Sequence, residues 1–295
     1  MLKLAILIVC FAGISFGQLK GIVDIHVHGD PDSMPRKIDV LEAARLAREE
    51  GMRALVLKNH YAPTAQLAYV VNRAVPGIEV YGAIVLNRSV GGINAEAVAQ
   101  AAAFKGGYLR VVWMPTFDSE HQVRSSKESR PFVSVARNGR LLPEVLDVLR
   151  VIAKEKLALA TGHSSPAESL MLIREARKLG ITRIVVTHPL RSVENMSIPE
   201  MQEAAKLEAL LEFCGKQVLP TEPVETRTSL EDFVKAIRAV GPEHCILSGD
   251  LGQPVNPVHT EGWKMFLGML RKAGITESEI DVMARRNPAR LVGLE

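Results

Sequence analysis

The chain has 295 residues, of which 47% are hydrophobic and 23% are charged. This balance is typical of one soluble globular protein with a sizeable core, and the length suits either a single α/β barrel or two smaller domains. The formal net charge is only +3, and basic residues alternate with acidic ones along the chain. Because there is no basic stripe to follow a phosphate backbone, nucleic acid is excluded as an expected partner.

The amino-terminal segment differs in composition from the rest of the chain. One positive charge, Lys3, precedes the apolar run 4–16, and the small residues Ser15 and Gly17 stand three and one places before Gln18. This layout is typical of a secretory signal peptide. The apolar run is too short for a comfortable membrane span, so no membrane association is expected after cleavage.

We therefore predict a signal peptide over residues 1–17, a mature domain over residues 18–295, and a secreted or periplasmic protein. If the segment is instead an uncleaved first strand, the protein is cytoplasmic. Cleavage would remove Cys10 and leave Cys214 and Cys245, each in an apolar strand-like run. Buried free thiols are the expected state of these two residues, with a disulfide between them left open.

Apolar runs of strand length alternate with amphipathic helical segments through the rest of the chain. Most of the apolar runs lack polar alternation, which is expected of parallel strands covered on both faces. Several helical segments open at Ser, Thr or Pro and close at Gly, the usual start and stop signals. The helical segments include 40–51, 142–156, 165–180 and 229–241, and the strand candidates are GIVDIHV, RALVLKN, EVYGAIVLN, YLRVVWMP, LALATGH, RIVVTHP, ALLEFC and HCILSGD.

Eight strands alternating with about eight helices predict a (β/α)8 barrel, or TIM barrel. A doubly wound open sheet is the competing architecture, but no glycine-rich phosphate loop follows the first strand. The connection after the fourth strand is long, with no helix predicted from residue 120 to residue 140, and FVSVARNGRLL stands at residues 132–142. Its Asn138-Gly139 pair is preferred in two-residue hairpin turns. We predict a β-hairpin inserted after strand four, on the face where barrel active sites lie.

Histidines fall at or near the ends of several predicted strands. His26 and His28 end strand one, His163 follows strand five, His188 follows strand six, and Asp250 ends strand eight. The carboxyl ends of barrel strands meet at one rim, and residues two apart share a strand face. Inward imidazoles without a partner would leave polar nitrogens in a partly buried pocket. Imidazoles and a carboxylate gathered in this way predict a divalent-metal site.

These motifs resemble the amidohydrolase superfamily of metal-dependent hydrolases over nearly the whole mature chain. The resemblance is carried by DIHVH, ATGHSS, VVTHP and LSGDLG at the four strand ends, and the closing NPARLVGLE is similar to the Asn-Pro-Ala helix that ends many members. It implies that His26, His28, His163 and His188 bind metal, and that Asp250 binds metal and shuttles a proton. HVHGDPD and VLKNHYAPT look like a little-characterised branch, so no particular substrate is implied.

The sequence departs from the superfamily pattern at strand four. Members with two metals usually have a carboxylated lysine or a glutamate there, whereas this strand ends in VVWMPT. Strand two instead offers Lys58, in VLKNH. A carboxylated Lys58 would bridge two metals, and an ammonium at the same place would bind an anionic substrate. A third alternative is an interior lysine paired with Asp24 or Asp30.

The expected activity is that of a metal-dependent hydrolase, in which metal-activated water attacks an amide, lactone or ester bond with Asp250 as the general base. The expected cofactor is a divalent metal, Zn²⁺ by preference, with one or two ions per chain. A phosphoesterase on the same barrel is an alternative, although the strand ends show few arginine and glycine signals for phosphate. A non-catalytic exported barrel that binds metal or solute is another. The expected partner is a small-molecule substrate, and a homo-oligomer is left open. The candidates for holding the substrate are Asn59, His60, His121 and Arg140. His259 is a further histidine that could face the site.

Overall fold

The structure is a computed structural model that describes residues 17–294. Nearly all of the predicted signal peptide, including Cys10, lies outside these residues, so its prediction stays untested. Within the described range, no helix combines the length and the apolar character that crossing a membrane requires.

Parallel strands and outer helices alternate along the described chain. The barrel strands are β1 (Val23–Val27), β2 (Ala54–Leu57), β3 (Glu79–Val85), β4 (Leu109–Trp113), β7 (Ala158–Ala160), β8 (Ile184–Val186), β9 (Leu210–Cys214) and β10 (Cys245–Ser248), and a separate hairpin consists of β5 (Ala136–Arg137) and β6 (Arg140–Leu141). The helices are α1 (Val40–Glu49), α2 (Ala65–Ala74), α3 (Ala95–Ala103), α4 (Glu120–Ser125), α5 (Pro143–Lys154), α6 (Pro166–Lys178), α7 (Ile198–Lys206), α8 (Leu230–Val240), α9 (His259–Lys272), α10 (Glu277–Asp281) and α11 (Asn287–Val292).

The sheet closes into the predicted (β/α)8 barrel. Its eight strands are paired in the order β1-β2-β3-β4-β7-β8-β9-β10. A parallel bridge between Val27 and Leu251 joins β1 to the residues that follow β10, which completes the ring. Because every barrel strand is parallel to its neighbours, all the carboxyl ends lie at one rim, as the position of the histidines requires.

Apolar side chains form one layer inside the barrel and another between the strands and the helices. Val56 of β2 lies in the inner layer, and Leu55 and Leu57 lie in the outer layer. This alternation follows from the period of two along a strand. Residues of α11, among them Leu291 and Val292, belong to the inner layer and fill the amino-terminal end of the barrel. The predicted Asn-Pro-Ala helix therefore plugs the barrel opposite the histidines.

An irregularity in β1 directs its histidines into the barrel. The pairing of β1 with β2 shifts register between Asp24 and Val27. Ile25 belongs to the inner layer, but Val27 belongs to the outer one, so the inward face of the strand changes at His26. Bulges of this kind turn side chains and are frequent beside active sites. The His-x-His pair faces inward because of this shift.

The long connection after β4 contains both a helix and the predicted hairpin. Arg137 pairs with Arg140 across the Asn138-Gly139 turn, and both turn residues have positive φ, as this type of turn requires. The hairpin packs against α6 at the side of the barrel and does not cover the histidines. The sequence predicts the hairpin at the active-site face, whereas the structure places it beside α6. Helix α4, absent from the sequence prediction, carries this connection past the site.

The two described cysteines are buried and free, as expected. The register of β9 with β10 places Cys214 opposite Ser248 and Cys245 opposite Leu211. The two thiols are therefore three residue pairs apart along adjacent strands, which is too far for a disulfide.

His259 holds the barrel closed where β10 meets β1. Its Nε2–H donates to the carbonyl oxygens of His28 (2.8 Å) and Leu251 (3.1 Å). Because both partners can only accept, the ring must be in the Nε2–H form. The side chain lies outside the lining of the histidine cavity. It therefore serves the fold and not the substrate, in contrast to the expectation from sequence.

Burial lowers the pKa of His259 to about 4, against the opposing effect of its two hydrogen bonds. An unfolded histidine has a pKa of about 6.5, so the unfolded chain takes up a proton first as the pH falls. Stability from the neutral ring is thus complete above about pH 6.5 and is lost as the pH falls towards about 4. In metal-free protein, the free energy of unfolding of the wild type should fall between about pH 7 and about pH 4.5. For His259→Gln this fall should be smaller by about 2 to 3 kcal/mol. Denaturant titrations measure this, and an unchanged pH dependence in the variant would contradict the assignment.

Candidate metal centre and active site

Five histidines lie side by side at the carboxyl-end rim. Ring centroids are 5.0 Å apart for His60 and His28, 5.2 Å for His28 and His26, 6.1 Å for His26 and His188, and 5.0 Å for His188 and His163. They border a cavity of about 150 Å³, the histidine cavity. Its other lining residues are Met34, Arg36, Lys58, Phe117, Arg191, Lys216, Asp250 and Gln253.

The first donor group consists of His26, His28 and Asp250. Oδ1 of Asp250 lies 3.2 Å from Nε2 of both imidazoles. The opposite nitrogen of each ring is already engaged: Nδ1–H of His26 donates to Oε1 of Glu212, and Nδ1–H of His28 donates to the carbonyl of Lys58, both at 2.9 Å. A carboxylate or carbonyl at one nitrogen is the usual support of a metal-binding histidine. The three donor atoms fit a divalent cation.

The charges around this group keep Asp250 ionised. Burial alone would raise the pKa of Asp250, but His26 and Lys216 hold it well below its usual range. Burial lowers the pKa of His28 to about 3, so its ring is neutral. Burial and Lys58 lower the pKa of His26, yet Asp250 and Glu212 together raise it above its usual value. The two buried carboxylates thus favour a positive charge beside them, which a bound cation would supply.

The second donor group consists of His163, His188 and Glu194, whose ligand atoms lie within 4.8 Å of one another. Oε1 of Gln122 accepts from Nδ1–H of His163 at 3.0 Å, again orienting an imidazole. Nδ1 of His188 and Oε2 of Glu194 are 3.4 Å apart, and both are buried without a hydrogen-bond partner. Buried polar atoms in a native fold normally have a partner. These two atoms therefore mark a place where a cation or a ligand fits.

Two of the donors have strained backbone. His188 has φ of 26° and Asp250 has φ of 50°, in the left-handed region that side-chain-bearing residues rarely adopt. Such conformations cost about 1 to 3 kcal/mol each and cluster at functional sites. Both residues stand two places beyond the end of a barrel strand, where the strain turns the side chain back over the cavity.

Lys58 reaches into the histidine cavity from the end of β2. Its Nζ lies 2.9 Å from Nε2 of His26 and 4.9 Å from the ring centroid of Trp113, which occupies the end of β4. Burial lowers the pKa of Lys58, although Asp250 and Glu212 oppose this. The alternative pairing with Asp24 does not occur, because that carboxylate accepts from Nε1–H of Trp263 and from backbone N–H groups.

Among the proposed substrate-binding residues, only His60 lines the cavity. Oδ1 of Asn59 accepts from the backbone of the following turn, at Tyr61 and Ala62. Nε2–H of His121 donates to the carbonyl of Val193. Arg140 is exposed in the hairpin and lines a surface groove beside α6. The structure does not bring these three side chains to the site, because local turns and the hairpin direct them elsewhere.

The structure adds site residues that sequence reasoning missed. Glu212 supports His26 from inside β9, and Glu194 completes the second donor group. Three further cations line the cavity: Arg36, Arg191 and Lys216. A charged residue in an otherwise apolar strand, as in LLEFC, was the available signal for Glu212. Glu194 and the three cations lie in loops and turns, where no periodic pattern indicates which way a side chain points.

Solved structures of known hydrolases share this fold. An organophosphorus hydrolase from Deinococcus radiodurans has 17% identity and a TM-score of 0.60, with 95% of this chain and 94% of that chain covered. A mutant PTE-like lactonase from Deinococcus radiodurans has 16% identity and a TM-score of 0.62, with 95% and 98% covered. These proteins belong to the amidohydrolase superfamily. The resemblance read from the sequence is therefore confirmed at the level of the fold.

A family model matches residues 21–212, which is more than half of the chain. The chain therefore belongs to DUF6282, described as a family of unknown function. The matched segment contains every residue of the two donor groups except Asp250. No curated protein sequence matches the chain.

The two donor groups share no residue, so zinc-loaded and dialysed protein is expected to hold about two cations per chain. His26→Ala and Glu194→Gln should each remove about one, because each cation loses a donor from its own group. His244→Ala, at the opposite end of β10, is the matched control and should keep both. Elemental analysis by mass spectrometry measures the content. Undiminished zinc in His26→Ala protein would contradict the first group.

Proposed function

We propose that this chain is a metal-dependent hydrolase that cleaves a lactone, ester or amide bond in a small molecule. The observation that carries the proposal is the convergence of Nε2 of His26 and His28 on Oδ1 of Asp250, with both Nδ1 atoms engaged elsewhere. The shared fold with a lactonase and an organophosphorus hydrolase supports the class of reaction.

Zn²⁺ is the proposed cofactor, because imidazole and carboxylate donors in an open site suit it. The residues that would hold it are those of the two donor groups. When bound at such a site, zinc lowers the pKa of bound water to about 7 and polarises a carbonyl or phosphoryl oxygen. The remaining chemistry falls to the side chains of the cavity.

Asp250 is the proposed general base. Oδ1 of Asp250 lies 3.2 Å from Nε2 of both imidazoles. Oδ2 therefore remains to take a proton from the attacking water and return it to the leaving group. Its lowered pKa keeps the carboxylate ionised at neutral pH, as a base must be. It borders the cavity, so the substrate can reach it.

His60 is proposed to hold the substrate carbonyl. Oγ1 of Thr116 accepts from Nδ2–H of Asn87, and its own hydroxyl proton is then free for Nδ1 of His60, 2.8 Å away. In this arrangement Nε2 carries the proton of the neutral ring and can donate to an oxygen of the substrate. The ring is held between His28 and Phe117.

Lys58 is proposed to bind metal as a carbamate. An ammonium at Nζ, 2.9 Å from Nε2 of His26, would repel a cation bound at that nitrogen. A carbamate at Nζ carries a negative charge and oxygen donors, so it would ligate the cation instead of repelling it. Lys58→Ala should then lower the zinc content, and added acetate should restore part of it. Unchanged zinc with weaker substrate binding would favour the ammonium.

Phosphoester hydrolysis is the second candidate function, favoured by the three cations that line the cavity. A panel of lactones, carboxylic esters, amides and phosphoesters, offered to zinc-loaded protein, separates the candidates. Turnover of a carbonyl substrate is expected. Turnover of phosphoesters alone would favour the second candidate. Zinc binding without turnover of any substrate would indicate a non-catalytic binding protein.

We also propose that the protein is exported, on the strength of the apolar run and the small residues before Gln18. Amino-terminal sequencing of mature protein from its native host should then begin near Gln18. A mature chain that retains Met1 would count against export.

Asp250→Asn is the variant that separates a catalyst from a binder. The amide keeps the size and one ligating oxygen but removes the basicity, so turnover should fall by about 10² to 10⁴-fold. Zinc content should be largely retained, which elemental analysis of the same sample shows. Turnover within about tenfold of the wild type, a barrier change below about 1.4 kcal/mol, would reject Asp250 as the base.

A further inference from the structure

A second cavity of about 410 Å³ adjoins the histidine cavity. The two share Arg191, Lys216 and Asp250 as lining residues, so a molecule that reaches Asp250 can extend into both. Hydroxyl and amide side chains dominate the rest of the second lining: Gln122, Ser125, Ser126, Ser192, Gln217 and Thr226. We call this cavity the polar groove.

Gln217 is the unexplained residue of the polar groove. The residue is 4% exposed, yet neither Oε1 nor Nε2 of its side chain has a hydrogen-bond partner. An unpaired buried amide is expensive, at about 1 to 3 kcal/mol per group. The residue lies in the tight turn Gly215–Val218 directly after β9, so its position is set by the barrel. A ligand that offers both an acceptor and a donor would satisfy it.

Two cations stand where the polar groove meets the histidine cavity. Nζ of Lys216 is 2.9 Å from Glu222, and a guanidinium nitrogen of Arg191 is 3.2 Å from Glu194. Their side chains are still 22% and 27% exposed, so each can present donors to the groove. Arg36 differs, because it is 3% exposed and held by the buried Asp32. Only the first two are placed to meet a ligand in the groove.

We propose that the polar groove binds an anionic oxygen group of the substrate, a carboxylate or a phosphate, at Lys216 and Arg191, with Gln217 bonding the adjacent polar atoms. The substrate class is therefore a hydrophilic anion and not an apolar lactone or ester. This inference rests on the proposed hydrolase function in one respect, since that function places the scissile bond beside Asp250.

The first test measures binding without turnover. The probes are 3-oxocyclopentane-1-carboxylate and its neutral carboxamide, titrated by calorimetry into zinc-loaded, full-length protein. The carboxylate should bind about 10- to 100-fold more tightly, the usual worth of a hydrogen bond to a charged group. Lys216→Gln should abolish this preference, whereas Arg174→Gln, on the outer face of α6, should keep it. Equal binding of the two probes, or a preference that survives Lys216→Gln, would overturn the proposal.

The second test measures turnover of the matching lactones, 5-oxotetrahydrofuran-2-carboxylate and its carboxamide. Faster turnover of the carboxylate, lost in Lys216→Gln, supports the anion site. Equal turnover of both would reject the anion site and leave the hydrolase. If neither lactone is turned over but the carboxylate probe still binds more tightly than the carboxamide, lactone hydrolysis is rejected and the anion site remains supported. Competition of the first probe by methyl phosphate or by acetate distinguishes a phosphate from a carboxylate as the natural group.

Gln217→Met supplies a readout that a purely structural role would not give. The change removes two unpaired polar atoms, so the melting temperature of the free protein should rise or stay the same. Binding of the carboxylate probe should weaken several-fold. A lower melting temperature with unchanged binding would show that Gln217 supports the fold and would overturn its part in the proposal.

Discussion

Two hydrogen bonds at Nδ1 of His26 and of His28 determine the rest of the site. Glu212 and the carbonyl of Lys58 accept them, and both rings must then point Nε2 at Asp250. Since Glu212 comes from β9 and Lys58 follows β2, the closure of the barrel itself aligns the donor atoms. Without these acceptors each imidazole could rotate or change tautomer, and the convergence on one carboxylate oxygen would be lost.

The barrel order and most of the donors could be predicted from the sequence because they follow simple rules. His163 and His188 are rare residue types at the ends of apolar runs, and parallel strands end at one rim. Glu194 could not be predicted, because it approaches the cavity from a loop that has no periodic pattern. The exposed position of Arg140 escaped prediction for a related reason: the hairpin was recognisable from its turn, but its place depends on packing against α6.

Charge balance connects the donor groups to the polar groove. Three buried or half-buried carboxylates, Asp250, Glu194 and Glu212, face cations from several strands, among them Lys216 and Arg191. Burial alone would raise the pKa of Asp250 and of Glu212, and the positive charges beside these two carboxylates lower it instead. Such a cavity is poorly suited to an apolar occupant and well suited to a cation and an anionic molecule together.

Anomalous diffraction at the zinc edge, from crystals of zinc-loaded protein, tests the metal centre most directly. The account predicts one peak within about 2.0 to 2.2 Å of Nε2 of His26, Nε2 of His28 and a carboxylate oxygen of Asp250. Nδ1 of both rings should remain on Glu212 and on the carbonyl of Lys58. A zinc-loaded crystal without a peak there, in which Nζ of Lys58 still lies about 2.9 Å from Nε2 of His26, would contradict it.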